Sequence, residues 1–425
     1  MKFFLTSLGC PKNLTDSEDF SARLIAKGHK MVLEPQKADI IIINTCGFLS
    51  SALNEARQNI RAALKLKRKG IIKKVAVTGC MVERLKDQVK KEFPEIDLVF
   101  SIAEQERVED IIKKSAQLIS PIQTALRIPQ YKMSLTLPHT AYLKVADGCN
   151  NRCAYCAIPG IRGQYRSKPM QEVLREARLL AQNGAAEISL IAQDTTSYGQ
   201  DLYGAPRLEE LLKKLVKIKE VQRLRIMYAY PHRVTKELAK IMAGEEKIVP
   251  YLDIPLQHIS DNILKAMNRH CGAGAIKKVL DMLKKTVPDI ALRTNFIVGF
   301  PGESGKNFEE LNQFVKDYMF DNVGIFDYHR EPGTPAYDMK NQIPVAIKQS
   351  RAVMLAQTQS RVVDKLNKTM LGKIIEVISD TTTRGRTYKD APDIDGALTF
   401  AKPVQPGKIF KAKIIKAKGY QRIAE

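Results

Sequence analysis

The sequence lacks any apolar run that approaches the roughly 20 residues of a membrane-spanning helix. Its first residues are apolar, but the stretch ends before Pro11, whereas a secretory signal carries an apolar core of roughly 7–15 residues. We therefore expect a first β-strand at this position rather than a signal. We also expect no association with a membrane.

Internal repeats and low-complexity segments are also missing, so a repeat architecture is not indicated. A disulfide framework is not indicated either, because the seven cysteines are an odd number in a long chain without a secretory signal. These features favour a reducing compartment, and we expect a cytoplasmic protein.

The chain has fewer acidic than basic residues, with 46 Asp and Glu against 68 Lys and Arg, and its formal net charge is +22. A hydrophobic content of 44% and a charged content of 27% are typical of a soluble globular protein. The length of 425 residues exceeds one ordinary core and indicates two or three domains. The positive charge implies an anionic partner or an RNA-rich assembly. Alternatively, the positive charge reflects a lysine-rich proteome and indicates no particular partner.

Three cysteines lie close together directly after the apolar segment Ala141–Val145. Cys149, Cys153 and Cys156 have the spacing C-x3-C-x2-C, and no fourth cysteine is near. Iron–sulfur clusters are normally held by four thiolates, so a cubane cluster held here would keep one iron open for chemistry. The alternative is a zinc site, but structural zinc sites usually combine two separated C-x2-C pairs or cysteines with histidines. The histidines of this chain are isolated and form no such set.

Three further cysteines each follow a short apolar run typical of a buried parallel strand. The runs are Phe3–Leu5, Ile40–Ile43 and Val75–Val77. Cys10, Cys46 and Cys80 come after them, at the sheet edge where ligands bind in open parallel sheets. We expect the three thiols to converge and to hold a second cluster, again with an open iron. The alternative is three separate buried cysteines that act as small hydrophobic residues.

The order of apolar and helical patterns divides the chain into three domains. Strands alternating with helical patterns at Asp16–Lys27 and Ala52–Lys69 predict a small doubly wound α/β domain. Six further strand–helix units predict a partial (β/α) barrel with its active site at the C-terminal strand ends. The last stretch is rich in short strands and turns, which predicts a small five-stranded barrel of the OB-like kind. The boundaries are 1–118, a linker at 119–134, 135–367 and 368–425, and the barrel strands are Tyr142–Val145, Ile188–Ala192, Arg223–Met227, Tyr251–Pro255, Leu292–Val298 and Val323–Phe326.

Four short sequences resemble the methylthiotransferase family of radical S-adenosylmethionine (SAM) enzymes. More closely, they are similar to its RimO type, and the tRNA-modifying members usually carry a Gly-Cys-Gln-Met-Asn variant that this chain lacks. The four sequences are Ser7-Leu-Gly-Cys10-Pro-Lys-Asn13, Val145-Ala-Asp-Gly-Cys149, Gln193-Asp-Thr-Thr-Ser-Tyr-Gly199 and Asp390-Ala-Pro-Asp-Ile-Asp-Gly396.

The resemblance implies an N-terminal cluster domain, a radical SAM barrel and a C-terminal TRAM domain. It implies two 4Fe–4S clusters, two SAM molecules per turnover, and β-methylthiolation of an aspartate on ribosomal small-subunit protein twelve, reached either free or on the ribosome. Cys149, Cys153 and Cys156 would hold the SAM-binding cluster, and the other set would hold the methylthio sulfur. An electron donor such as flavodoxin or ferredoxin and a contact with RNA are also implied. The alternative substrate is an isopentenyl-modified adenosine of tRNA.

Five other residues are candidates for contacts with SAM. Tyr155 precedes the last cysteine of the motif, and Gln193 and Asp194 follow a predicted barrel strand. Arg293 and Gly299 belong to a run that ends another strand in a glycine turn, where the backbone can approach a ligand closely. We expect all five at the cofactor.

A few remaining residues have open or minor roles. Asp253, Gln257 and His258 lie near a strand end and line either the substrate cavity or a structural turn. Cys271 has no partner at a ligand spacing, so we expect a bystander thiol. Asp393 and Asp395 of the last domain are expected to bind basic side chains of the ribosomal protein.

Overall fold

A computed structural model describes residues 1–114, 119–120 and 133–425. Most of the predicted linker at 119–134 therefore lies outside the described residues, and the predicted domain boundaries stay predictions. The chain forms two compact units, of which the first joins 1–135 with 146–150 and 156–168. The second unit comprises 136–145, 151–155 and 169–425. Within the described residues, no helix is long and apolar enough to cross a membrane.

The first unit opens with alternating strands and helices. Its elements up to residue 114 are β1 Lys2–Ser7, α1 Pro11–Ala26, β2 Lys30–Met31, β3 Ile40–Thr45, α2 Ser50–Arg68, β4 Lys74–Gly79, α3 Cys80–Leu85, α4 Asp87–Glu92, β5 Leu98–Val99 and α5 Val108–Lys114.

These five strands form one parallel sheet in the order β2-β1-β3-β4-β5. Every residue of the central strand β3 is buried, and separate apolar clusters cover the two faces of the sheet. The predicted doubly wound α/β fold is therefore confirmed. The edge strands β2 and β5 were not predicted, because two residues are too short to show a period.

Helix α1 begins at Pro11, five residues before the predicted start at Asp16. Proline is favoured at the first position of a helix, because its missing N–H has no partner there and its φ suits the helix. The helix therefore follows Cys10 without an intervening loop.

The next elements run through the barrel to residue 370. They are β6 Thr140–Lys144, β7 Ala146–Asp147, α6 Ile158–Arg162, β8 Arg166–Ser167, α7 Met170–Gln182, β9 Glu187–Ile191, α8 Gln200–Tyr203, α9 Leu208–Leu215, β10 Arg223–Ile226, α10 Lys236–Gly244, β11 Ile248–Asp253, α11 Asp261–Ala266, α12 Ala273–Thr286, β12 Ala291–Val298, α13 Gly305–Tyr318, β13 Asn322–Asp327 and α14 Val345–Met370.

Six of these strands form a parallel sheet in the order β13-β12-β11-β10-β9-β6. The order follows the sequence, and no pairing closes β13 onto β6 among the described residues. The predicted six-unit open barrel is therefore confirmed. The small strands β7 and β8 form an antiparallel pair within the first unit.

The C-terminal segment is a closed barrel with the strand order β14-β15-β16-β18-β17, as predicted for an OB-like fold. Alternate residues of its strands point inward, and Val377, Leu398 and Ile414 form its core with Met370 at the end of α14. Its strands are β14 Ile374–Ser379, β15 Arg384–Thr387, β16 Ala397–Phe400, β17 Ile409–Lys418 and β18 Gln421–Ala424.

The loop after β15 docks this small barrel against the N-terminal ends of the sheet strands in the second unit. Glu187, the first residue of β9, accepts hydrogen bonds from Arg225 at 2.8 Å and from Arg386 at 3.2 Å. Lys389 binds Asp321, just before β13, at 2.7 Å. These contacts place the loop beside the starts of β9 and β13.

Candidate functional site

Cys10, Cys46 and Cys80 lie at the C-terminal ends of three neighbouring parallel strands. The residues Ser7, Asn44 and Thr78 share one register across β1, β3 and β4. Cys46 and Cys80 follow their strands directly, and Cys10 follows β1 after a two-residue turn. The structure thus brings the three sequence-distant cysteines to one edge of the sheet.

Close backbone packing explains two of the glycines beside these cysteines. Gly9 has φ +90°, and a Cβ on it would lie 2.9 Å from the Cys46 Sγ. A Cβ on Gly47 would lie 2.7 Å from the carbonyl oxygen of Cys80. Any larger residue at either position would push the cysteine-bearing loops apart.

Burial and mutual proximity disfavour the thiolate form of two of these cysteines. Burial raises the pKa of Cys80 to about 12, against the opposing effect of Arg162, and the nearby Cys10 and Cys46 raise it further. Burial also raises the pKa of Cys46, and the neighbouring Cys10 adds to the rise. A thiol becomes a thiolate when a metal binds it, so positive charge brought by iron would relieve this mutual repulsion.

Arg162, at the end of α6, reaches into the same site. Its Nη2 lies 3.3 Å from Cys80 Sγ and donates to Asn13 Oδ1 at 3.2 Å. Its Nη1 donates to Asp16 at 2.6 Å and to Asp147 at 3.1 Å. A fully buried arginine in such a site could not be read from the sequence, because arginine is rarely buried without partners that only the fold supplies.

The loop that carries Cys149 is built by a tight turn in the first unit. The Cys149 N–H donates to the Gly163 carbonyl at 3.2 Å. Gly148 has φ +78°, and a Cβ on it would lie 2.1 Å from the Gln164 carbonyl oxygen. Glycine is therefore required beside this cysteine.

The central cysteine of the motif, Cys153, is buried in the second unit beside the loops after β10 and β11. The Tyr230 hydroxyl lies 3.8 Å from its Sγ, and Arg269 Nη1 lies 3.6 Å from the same sulfur. The Arg269 guanidinium also stacks on the Tyr230 ring at 3.9 Å from the ring centre. Neither residue was expected from the sequence, since their contacts join segments far apart in the chain.

The neighbouring Ala154 is held by backbone hydrogen bonds on both sides. Its N–H donates to the Met267 carbonyl at 2.9 Å, and its own carbonyl accepts from Ala336 at 2.8 Å. Tyr155 packs beside Ala154 against an apolar cluster that includes Met267 and Phe300. Tyr155 thus supports the motif loop by packing, and a contact with SAM stays a prediction.

Gln193 and Asp194 follow the C-terminal end of β9 after one intervening residue, as expected. Gln193 is half-buried, and its predicted contact with SAM also stays a prediction. Asp194 is buried, and its Oδ2 accepts from Asn151 of the motif loop and from Arg233, both at 2.9 Å. Ser197 and Thr196 donate to the same carboxylate at 2.8 and 2.5 Å. These donors show that Asp194 helps to orient the motif loop, and its predicted contact with SAM stays a prediction.

Arg293 and Gly299 were expected at SAM, and their surroundings do not support this. Arg293 is the third residue of β12, far from its C-terminal end, and its guanidinium binds Asp253 at 2.9 Å and Asp395 at 3.1 Å. A Cβ on Gly299 would lie 2.3 Å from Cγ of Lys348, so the close approach there is to this side chain. Both residues therefore have partners within the protein, and their predicted contacts with SAM stay predictions.

The three residues whose roles were left open have partners within the second unit, and the choice between a cavity and a structural turn stays open. Asp253 is buried, and besides Arg293 it binds the Tyr228 N–H at 3.2 Å. Gln257 has φ +74° and pairs through its backbone with β12. His258 is buried, and its Nε2 lies 3.4 Å from Glu303, which also binds Arg351 at 2.6 Å.

Cys271 is buried, and its Sγ lies 3.9 Å from the Gly272 carbonyl oxygen. Burial raises the pKa of this thiol, which disfavours the reactive thiolate.

In the part of the chain that the structure describes, no three His, Cys, Asp or Glu side chains converge on a point that would hold a single metal ion. A cubane cluster spreads its thiolates over separate irons, so it requires a wider arrangement than one ion does.

Three family models match consecutive parts of the chain. Residues 2–101 match the uncharacterized protein family UPF0004, residues 143–315 match the radical SAM superfamily, and residues 370–425 match the TRAM domain. Together they cover the doubly wound unit, most of the open barrel and the C-terminal barrel.

Relatives that match over the full length carry more specific names than these family models. A "Ribosomal protein uS12 methylthiotransferase RimO" from Elusimicrobium minutum is 47% identical over 423 residues, covering 99% of this chain and 98% of the relative. A protein of the same name from Acetivibrio thermocellus is 40% identical and covers 100% of this chain and 98% of its own.

Solved structures share the fold at low identity. The radical SAM methyltransferase TsrM from Kitasatospora setae has a TM-score of 0.58 at 11% identity, covering 79% of this chain and 73% of its own. The cobalamin-dependent SAM radical enzyme OxsB has a TM-score of 0.56 at 12% identity, over 86% of this chain and 56% of its own. At such identity the likeness concerns the fold alone.

Proposed function

The chain belongs to the RimO family of ribosomal protein uS12 methylthiotransferases, and we propose that it β-methylthiolates an aspartate of uS12, small-subunit protein twelve. It is a radical SAM enzyme whose cofactors are SAM and a 4Fe–4S cluster. The observation that carries the proposal is the placement of Cys10, Cys46 and Cys80 after the C-terminal ends of parallel strands, together with a second cysteine set that follows β6 of the open barrel along the chain. Ligands of open parallel sheets and barrels bind at such ends.

We assign a separate cluster to each cysteine set. Cys149, Cys153 and Cys156 would hold the SAM-binding cluster, and Cys10, Cys46 and Cys80 would hold a second one. Each set offers three thiols, which leaves one iron open for SAM or for the transferred sulfur species. The corresponding domains would be 1–118, 135–367 and 368–425.

When bound, the cluster and SAM together supply a carbon radical strong enough to take hydrogen from an unactivated C–H bond. The protein holds and orients these groups. Tyr230 and Arg269 flank the Cys153 sulfur, and donors to a ligand sulfur tune the reduction potential of a cluster. Asp194 accepts a hydrogen bond from Asn151 and so helps to orient the segment that carries Cys153.

The partners follow from the same chemistry. Two SAM molecules would be consumed per turnover, one to methylate the sulfur species and one to form the radical. At least one electron must enter, which implies a reduced donor such as flavodoxin or ferredoxin. The net charge of +22 would assist docking near ribosomal RNA through phosphate neutralisation.

The test is mass spectrometry of uS12 and of tRNA from a strain that lacks this gene, compared with its parent. The proposal expects unmodified uS12 and unchanged methylthiolated tRNA in the deletion strain. Loss of the tRNA modification with intact uS12 modification would contradict it. Complementation with a Cys149→Ala variant is the matched control and should not restore the modification of uS12.

A further inference from the structure

The contacts of Arg162 reach segments next to ligands of both proposed clusters, all within the first unit. Asn13 and Asp16, which bind its guanidinium, lie on helix α1 directly after Cys10. Asp147, its third partner, lies two residues before Cys149. The fourth partner is the Cys80 sulfur itself. One side chain therefore ties together the segments around three of the proposed cluster ligands.

The two edges of the guanidinium have different neighbours. Nη1 faces the carboxylates of Asp16 and Asp147, which neutralise the buried charge. Nη2 faces the amide oxygen of Asn13 and the sulfur of Cys80. The sulfur contact is thus separate from the ion pairs, so charge neutralisation alone does not account for it. Arginine can bind the carboxylates and the sulfur at the same time because its planar guanidinium presents donors in fixed directions.

A donor to a ligand sulfur withdraws electron density from it and thereby favours the reduced cluster. We propose that Arg162 is a positioning residue for the cluster at Cys10, Cys46 and Cys80, and that its hydrogen bond to the Cys80 sulfur raises the reduction potential of that cluster. This inference rests on the second cluster assigned above.

The experiment uses the full-length chain with Cys149, Cys153 and Cys156 replaced by Ala, so that any cluster reports on the first set. After anaerobic reconstitution, iron content and an EPR-monitored redox titration are compared between this parent and its Arg162→Lys variant. Lysine keeps a cation for the carboxylates but lacks the second edge that reaches the sulfur. The expected result is unchanged iron with a midpoint potential shifted to more negative values and an altered EPR signal.

The matched control is Arg57→Lys, which changes an arginine of the same unit that pairs with Glu92 at the surface. It should leave the potential at the parent value. A second variant is used if the Arg162→Lys protein does not fold. It combines Arg162→Met with Asp16→Asn, which removes one charge of each sign and keeps the net buried charge. That protein should show the same negative shift.

Two outcomes overturn the inference. A folded, iron-loaded Arg162 variant with the potential and EPR signal of its parent would show that the sulfur contact has no effect on the cluster. A parent that binds no iron would remove the second cluster itself, and with it this role of Arg162. The two outcomes are distinguishable because the iron content of the parent is measured first.

Discussion

Arg293 of the open barrel and Asp395 of the C-terminal barrel form a buried ion pair, with Nε 3.1 Å from Oδ1. The Tyr251 hydroxyl donates to the same carboxylate at 2.7 Å. Asp395 was expected to bind basic side chains of the ribosomal protein, and this expectation is wrong because its carboxylate is occupied inside the chain. Asp393, two residues away, is exposed, and its role in docking stays a prediction.

We predict that Asp395→Ala loosens the C-terminal barrel from the sheet. Arg293 stays paired with Asp253, but the substitution removes its contact with Asp395 and leaves the Tyr251 hydroxyl without this acceptor, which costs on the order of 1–3 kcal/mol. Limited proteolysis should release a fragment near 368–425 faster than from the wild type, and the melting temperature should fall. Asp393→Asn is the control, because asparagine tolerates the φ of +60° at this position, and equal effects of the two substitutions would contradict the docking role of Asp395.

The Glu187 carboxylate should make stability dependent on pH. Burial alone would raise its pKa, but Arg225, Arg386 and Arg223 outweigh burial and hold the pKa well below its usual range. A carboxyl with a lowered folded-state pKa stabilises the protein above its unfolded pKa, roughly 4.3, and this contribution is lost as pH falls toward the folded value.

We therefore predict that Glu187→Gln destabilises the protein at pH 7, and that the difference from wild type shrinks below a pH of about 4.3. Urea unfolding at a series of pH values measures this directly. Glu172→Gln, at an exposed position of α7, should leave the curve unchanged. A difference that stays constant down to pH 3 would contradict the assignment.

The two cysteine sets should load iron independently, with roughly eight irons in the reconstituted protein. Replacing Cys10, Cys46 and Cys80 by Ala should leave about half of the iron and retain the formation of 5′-deoxyadenosine from SAM. Replacing Cys149, Cys153 and Cys156 by Ala should abolish the formation of 5′-deoxyadenosine and leave the other half of the iron. Cys271→Ala should change neither quantity. Loss of both clusters in either triple variant would show that the sets are not independent.

Gly148→Ala should disrupt the loop that carries Cys149. Its φ of +78° and the 2.1 Å approach to the Gln164 carbonyl leave no room for a side chain, and strain of this kind costs on the order of 1–3 kcal/mol. The variant should lose the SAM-binding cluster, measured as iron content and 5′-deoxyadenosine formation. Gly160→Ala is the control, because a Cβ there meets nothing within 4 Å.

The convergence of Cys10, Cys46 and Cys80 could be predicted because parallel strands present their C-terminal ends at one edge. The open barrel could be predicted because six strand patterns alternate with helical patterns along the chain. Arg293 was grouped with the turn at the end of its strand, but it lies near the start of that strand, and its partners Asp253 and Asp395 could not be read from the sequence. Arg162 and Arg269 could not be foreseen, since a buried arginine depends on partners brought together only by the tertiary fold.

The central claim is most directly tested by incubating the reconstituted protein with SAM, a reductant and a sulfur source, together with either isolated uS12 or isopentenyl-modified tRNA. Intact-mass and fragment analysis then locate any added group. The account predicts a gain of about 46 Da on an aspartate of uS12, the mass of replacing H by SCH3, and no change in the tRNA. Methylthiolation of the tRNA with unmodified uS12 would contradict it.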